Sequence, residues 1–284
     1  MSEKIPGQES QLSPQGILQA GAEFLEHFGV AIEPSEHPKA FIEALAQINP
    51  RYQGGHELLR WQLEADQTRW TPESNDAIMQ AAEQMGMLKT ETPLIGQYDV
   101  VIALGGARWS NLDRARYAAE AIKGGRATTK QLVVAGSMRA LNETERQITD
   151  SYAPGATTEV DLCIAAASIV ASENPGLVTS VLHVQDERAG TPDVIKHVLT
   201  SSQVSCDFSE NPSIAAITTQ IYQASTALDL ARVARQFGIT QTFAAGNPSD
   251  PDIIAKRTPA TYLSEVIRTL QAATYAVEAG VIDG

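Results

Sequence analysis

The chain has 284 residues, 43% of them hydrophobic and 19% charged, so it can bury a core and is not disordered by composition. Its formal net charge of -13 gives an acidic surface that repels phosphate backbones and anionic lipid, which excludes duplex nucleic acid and membrane surfaces as favoured partners. No apolar stretch is long enough to span a bilayer, and the polar N-terminus does not read as a secretory signal. Cys163 and Cys206 are far apart and make no CxxC pair, so a cytoplasmic location is expected.

In chain order, a polar tail of about a dozen residues precedes a helical stretch from Ser13 to about Met87. Ser13 reads as an N-cap and Pro14 as the first helical residue, after which Ile17, Ala20, Phe24 and Phe28 recur at helical spacing. HPKAFIEALAQI, HELLRWQLEA and NDAIMQAAEQMGML continue the pattern, interrupted at Pro34, Pro50, Gly54-Gly55 and Pro72. Residues 1–95 are therefore read as a helical N-terminal segment that caps a domain or forms an interface, which leaves homo-oligomerisation open.

From Tyr98 the character changes. Apolar runs YDVVIAL, QLVVAG, LVTSVLHV, SIAAITT and TQTFAA alternate with helical runs, and Cys163 falls in one of these as a buried helix residue. Continuous apolar strands with helical crossovers indicate an α/β fold: a three-layer αβα, Rossmann-like domain over residues 96–284 with a mainly parallel sheet of about five strands. Right-handed crossovers gather the strand carboxyl ends on one edge, where ligands of such folds bind.

The succession YDVVIALGG, Arg114 on the following helix, QLVVAGS, Glu159 opening a helix, DERAGTPDV and AAITTQIY resembles the bacterial family typified by the YdcF and SanA proteins, over about residues 97–245. The resemblance implies an enzymatic domain whose recurrent charged residues gather at strand ends. The chain departs from the family after the fourth strand. Thr218 and Thr219 are followed by Gln220, Ile221 and Tyr222 with no histidine, and Ser225 or Thr226 stands where the family has an arginine. The membrane segment carried by many members is missing too.

Candidate site residues follow the strand ends. Gly105, Gly106 and Ala107 form a glycine turn ahead of Arg114; such a turn exposes backbone N–H groups to an anion, or needs glycine only for its dihedrals. The full GxGxxG fingerprint is absent. Gly136 and Ser137 end the second strand, and Arg139 could pair with a phosphate or carboxylate; Asn142, Glu143 and Glu145 read as a polar loop. Glu159 is either a ligand contact or a carboxylate favoured at a helix N-terminus. The third strand brings His183, Asp186, Glu187, Arg188 and Thr191; Glu187 and Asp186 are the catalytic candidates, to hold ribose hydroxyls, bind a cation or act as general base, and a structural core histidine is the commoner outcome for His183. Thr218, Thr219, Gly246 and Asn247 end the last two strands, Lys256 and Arg257 follow and could reach a ligand anion, and Arg268 reads as the i, i+3 ion-pair partner of Glu265.

Three functions fit. The first is an enzyme or binding domain for an adenosyl or nucleotide-type ligand, with S-adenosylmethionine as the specific candidate. The second is a hydrolase or transferase on a phosphorylated or sugar-linked metabolite using Glu187 or Asp186. The third is a non-catalytic domain whose helical segment binds a partner, which the missing histidine and arginine favour.

Overall fold

Burial alternates along the strands and sets the layers. Five strands, β1 (Gly96–Leu104), β2 (Ala127–Ser137), β3 (Thr179–Val184), β4 (Ile214–Thr219) and β5 (Thr242–Asn247), pair all-parallel in the order β3-β2-β1-β4-β5. The structure is a computed structural model that describes residues 13–32, 40, 43, 72–207, 212–249, 251–255 and 257–281. Nine named helices accompany the strands among these residues: α1 (Pro14–Glu26), α2 (Pro72–Gln84), α3 (Ser110–Lys123), α4 (Glu143–Thr149), α5 (Glu159–Glu173), α6 (Thr191–Thr200), α7 (Gln223–Arg235), α8 (Pro251–Ile254) and α9 (Pro259–Glu278).

Odd and even strand residues meet different helices, as the period of two demands. Val101, Ala103, Val134 and Ile217 pack with Leu112 and Ala115 of α3 and with Cys163 and Ala166 of α5. Val100, Ile102, Val133 and Ala216 pack with Ile195 and Val198 of α6 and with Leu230 and Val233 of α7. The fold is thus the three-layer αβα, Rossmann-like arrangement expected from the alternating runs. The interior strands β1, β2 and β4 read as apolar runs because both their faces are covered.

Beyond α7 lies a further helical layer. Ile17, Leu18, Phe24 and Leu25 of α1 and Ile78 and Ala82 of α2 form one apolar cluster with Leu263, Ile267 and Leu270 of α9. Helix α1 starts as its sequence specifies, with Ser13 Oγ accepting the Gly16 N–H at 3.0 Å and Pro14 following the cap. The helical readings HPKAFIEALAQI and HELLRWQLEA fall mostly or wholly outside the described residues.

Two local readings are corrected. Residues 143–149, taken as a polar loop, form α4, because Asn142 and Glu145 make a reciprocal capping box: Oδ1 of Asn142 accepts the Glu145 N–H at 2.9 Å and Glu145 Oε2 accepts the Asn142 N–H at 3.0 Å. Strand β3 is not a fully buried strand. It is an edge strand, and only Leu182 in it is fully buried.

Strand order decides where the site lies. The chain leaves β1 for β2 on one side, crosses to β3, then returns to lay β4 on the other side of β1. The direction of winding reverses between β1 and β4, so a crevice opens at their carboxyl ends.

Candidate functional site

A cavity of about 830 Å³ opens at this reversal, bordered by Gly105 and Gly106 after β1, Thr218 and Thr219 of β4, Asn247 of β5 and Arg114 of α3. A second cavity of about 600 Å³ adjoins it on the β2 and β3 side, and the two share Leu104, Gly105, Thr191 and Arg268.

Arg114 occupies the floor of the crevice and is only 4% exposed. Its position one turn into α3 carries the side chain back toward the strand ends. Nη1 donates to the carbonyls of Leu104 at 2.8 Å and Gly105 at 2.5 Å, while Nε and Nη2 donate to Thr219 Oγ1 at 3.3 and 3.0 Å. A guanidinium has five N–H donors, so one Nη2 hydrogen stays uncommitted among the described residues. No carboxylate stands within ion-pair distance of Arg114 among the described residues. Burial pulls its pKa down, opposed by Tyr222, Glu159 and Cys163. A buried charge without a counter-ion at ion-pair distance is costly to hold.

More arginines border the same cavity: Arg108 after β1, Arg257 between α8 and α9, and Arg268 on α9. Asp113 and Glu145 are the carboxylates at its border. A chain of net charge -13 therefore concentrates positive charge in one concave place, which focuses an attractive field for anions there.

The two glycines of the turn serve neither reading of its sequence. Neither Gly105, Gly106, Gly136 nor Gly246 has a positive φ; Arg108 does, at 57°. The amides of both glycines are already committed, Gly105 N–H to Ala135 O at 2.5 Å and Gly106 N–H to Asn111 Oδ1 at 3.2 Å, with Asn111 Nδ2 returning to Gly106 O at 2.5 Å. These glycines serve close approach. A Cβ at Gly105 would collide with Glu159 Oε1 and lie 2.9 Å from the Gly136 Cα; one at Gly136 would lie 2.8 Å from Glu159 Oε1 and 2.9 Å from Cys163 Sγ. The anion-attracting groups are arginine side chains, not the amides of Gly105 and Gly106.

Glu159 opens α5 beneath this contact. Its Oε1 accepts the Ser137 N–H at 3.3 Å and its Oε2 accepts Arg139 Nε at 3.2 Å. Arg139 also meets Glu145 Oε2 at 3.1 Å, so it joins two carboxylates. Burial would raise the Glu145 carboxyl, but bonds from Arg139 and the Asn142 N–H outweigh it and hold the group below its ordinary 4.5. A lowered native pKa gives stability that is present above the unfolded value and lost as pH falls through the native one. Glu145→Gln is expected to cost about 1 kcal/mol at pH 7, since solvent reaches Arg139 and screens the pair. The deficit should shrink in melting curves taken progressively below pH 4.5; a deficit that stays constant with pH would show that the ion pair is not its source.

Most of the residues singled out in the sequence converge here. Gly105, Gly106, Ala107, Arg114, Thr218, Thr219 and Asn247 border the larger cavity, Ser137 and Glu159 the smaller, and Thr191 both. Gly136 and Gly246 sit behind the lining, and a Cβ added at Gly246 would collide with Gln220. Asp186 and Glu187 do not join them. Both are exposed and border neither cavity, and Asp186 Oδ1 accepts the Arg188 N–H at 2.8 Å to shape a turn. The reason is topological: they extend an edge strand, two strands away from the reversal. His183 is half-buried beside the Gln185 amide at 2.8 Å and also lies outside both cavities. The acid–base groups that do border the cavities include Asp113, Glu145 and Glu159.

Two contributors were missed. Arg268 reaches across to Thr191, Nη2 to Oγ1 at 3.0 Å, where one side chain divides the two cavities. Trp109 borders the larger cavity with its ring stacked on Tyr152; an exposed aromatic just after a glycine turn was the available signal.

Comparison with known proteins gives relatives without an assigned activity. The chain is 31% identical over 163 residues to uncharacterized proteins of Mycobacterium bovis and Mycobacterium tuberculosis, covering 51% of this chain and 45% of theirs. It thus spans less than half the length of these relatives. No family model and no solved structure matches. No helix among the described residues is long and apolar enough to cross a membrane.

Proposed function

We propose that the chain is a divergent YdcF/SanA-like domain that binds a phosphorylated, nucleotide-type metabolite in the crevice between β1 and β4. The observation that carries this reading is the buried Arg114, which points at the crevice with no carboxylate at ion-pair distance among the described residues. Arg108, Arg257 and Arg268 around it, with the Thr218 and Thr219 hydroxyls, suit the several oxygens of a phosphate or pyrophosphate. A volume of about 830 Å³ lies within the range of small-ligand sites. S-adenosylmethionine is the weaker fit, because its sulfonium cation gains nothing from a border dominated by arginines. The two cysteines, Cys163 and Cys206, are too few for a disulfide framework, which supports a cytoplasmic location.

Thermal unfolding in the presence of ADP, UDP, pyrophosphate and S-adenosylmethionine tests the reading. A ligand of the native state at one hundred times its dissociation constant adds about 2.7 kcal/mol of stability. The expected result is a rise in Tm with the phosphates that fades with added salt. A rise with S-adenosylmethionine alone would return the site to that cofactor, and no rise with any of the four would overturn the reading.

A further inference from the structure

The segment that joins β1 to α3 carries two features that anion binding leaves unexplained. Arg108 has a φ of 57°, a left-handed conformation that a long side chain adopts at a cost. Trp109, the next residue, is 38% exposed and belongs to none of the apolar clusters of the core. Its indole stacks on the Tyr152 ring with centroids 5.0 Å apart and planes 29° from parallel. The Tyr152 hydroxyl donates to the Arg108 carbonyl at 2.8 Å, so the same tyrosine holds both the strained peptide and the ring that follows it. Strain that is held by its surroundings at the mouth of a cavity is a mark of positioning.

What is positioned is a flat apolar surface beside a charged floor. Trp109 borders the same cavity as Arg114, together with the exposed Ile253 of α8. One face of the indole is taken by Tyr152, which fixes its plane, and the side chain remains more than one third exposed. A phosphate alone has no use for such a surface. A planar base does, because its π-face stacks on an aromatic ring without needing a particular hydrogen-bond pattern.

We infer that Trp109 is the platform on which the base of a nucleoside phosphate stacks while its phosphates lie toward Arg114. This rests on the phosphate reading above and deepens it, giving Trp109 the choice of ligand: nucleoside phosphates over sugar phosphates of equal charge. Tyr152 is a positioning residue that acts through the indole.

Calorimetric titration of the full chain with AMP, UMP, ribose 5-phosphate and pyrophosphate tests it. At least one nucleotide should bind about tenfold more tightly than ribose 5-phosphate, the margin expected of a single stacked base. Trp109→Ala should erase that margin and Trp109→Phe should keep most of it, while pyrophosphate binds wild type and both variants alike, which also shows that the variants are folded. A margin that is absent in the wild type, or that survives in Trp109→Ala, overturns the platform and leaves the phosphate reading standing. Failure of every nucleotide and of pyrophosphate to bind the wild type overturns both.

Discussion

Replacing Arg114 by methionine is expected to raise the dissociation constant for ADP or pyrophosphate by about a hundredfold, with little change in Tm. The first half follows from the surroundings of the guanidinium. It is buried at the floor of the crevice, where water screens poorly, and a hydrogen bond from a charged donor there is worth roughly 1.5–3 kcal/mol. That is one to two powers of ten in affinity, before the loss of long-range attraction. The second half follows from what the residue costs the empty protein. Arg114 is a desolvated charge with no carboxylate at ion-pair distance among the described residues, and methionine fills a similar length without it. Against that gain, the Leu104 and Gly105 carbonyls and the Thr219 hydroxyl lose their donor. The two effects oppose each other, so binding and folding should separate. Arg114→Lys should recover only part of the affinity, because an ammonium cannot hold two carbonyls and Thr219 while facing a ligand. Isothermal titration beside melting curves reads both quantities, and an unaltered affinity in Arg114→Met would remove the central support of the proposed function.

Gly105→Ala should be the more damaging change to the fold. Its methyl group would collide with Glu159 Oε1 and press on the Gly136 backbone, which belongs to β2 and cannot step aside. Overfilling a packed site costs about 1–3 kcal/mol. Pushing Glu159 away adds to that, because its carboxylate serves the Ser137 N–H and Arg139. A total of about 3 kcal/mol corresponds to a fall in Tm of roughly 6–12 °C for a chain of this size. Thermal unfolding of the single variant is decisive: an unshifted Tm would mean that Glu159 moves freely, and the close contact of β1, β2 and α5 would not be what glycine is needed for.

The layers of this fold were legible in the sequence because they depend on local pattern. Runs such as YDVVIAL and QLVVAGS are apolar at successive positions only because helices cover both faces, and the cap at Ser13 is written in neighbouring residues. The capping box of Asn142 and Glu145 was equally local, and was overlooked under a loop reading. Strand order is different. Nothing within VLHVQDER says that this strand lies at an edge, so its acidic end looked like the place of densest chemistry, whereas Asp186 and Glu187 are exposed and border neither cavity. Arg114 could be found because it follows its own strand within one turn of helix. Arg268 could not, since it arrives with α9, whose position is set by packing against α7, α1 and α2 rather than by neighbours in sequence. The Trp109–Tyr152 stack unites two segments in the same way.

The packing of α1 on α9 also sets a timetable for synthesis. Helix α1 leaves the ribosome early, yet the surface it covers is made roughly 230 residues later, a separation that makes its docking slow and late. Until residue 259 and its successors appear, Ile17, Leu18, Phe24 and Leu25 lack the α9 side of their cluster, and a nascent chain with such a stripe is an invitation to chaperones and to aggregation. The crevice shares the delay. Thr261 and Arg268 are also on α9, so a product stalled or truncated before α9 would lack that part of the cavity wall.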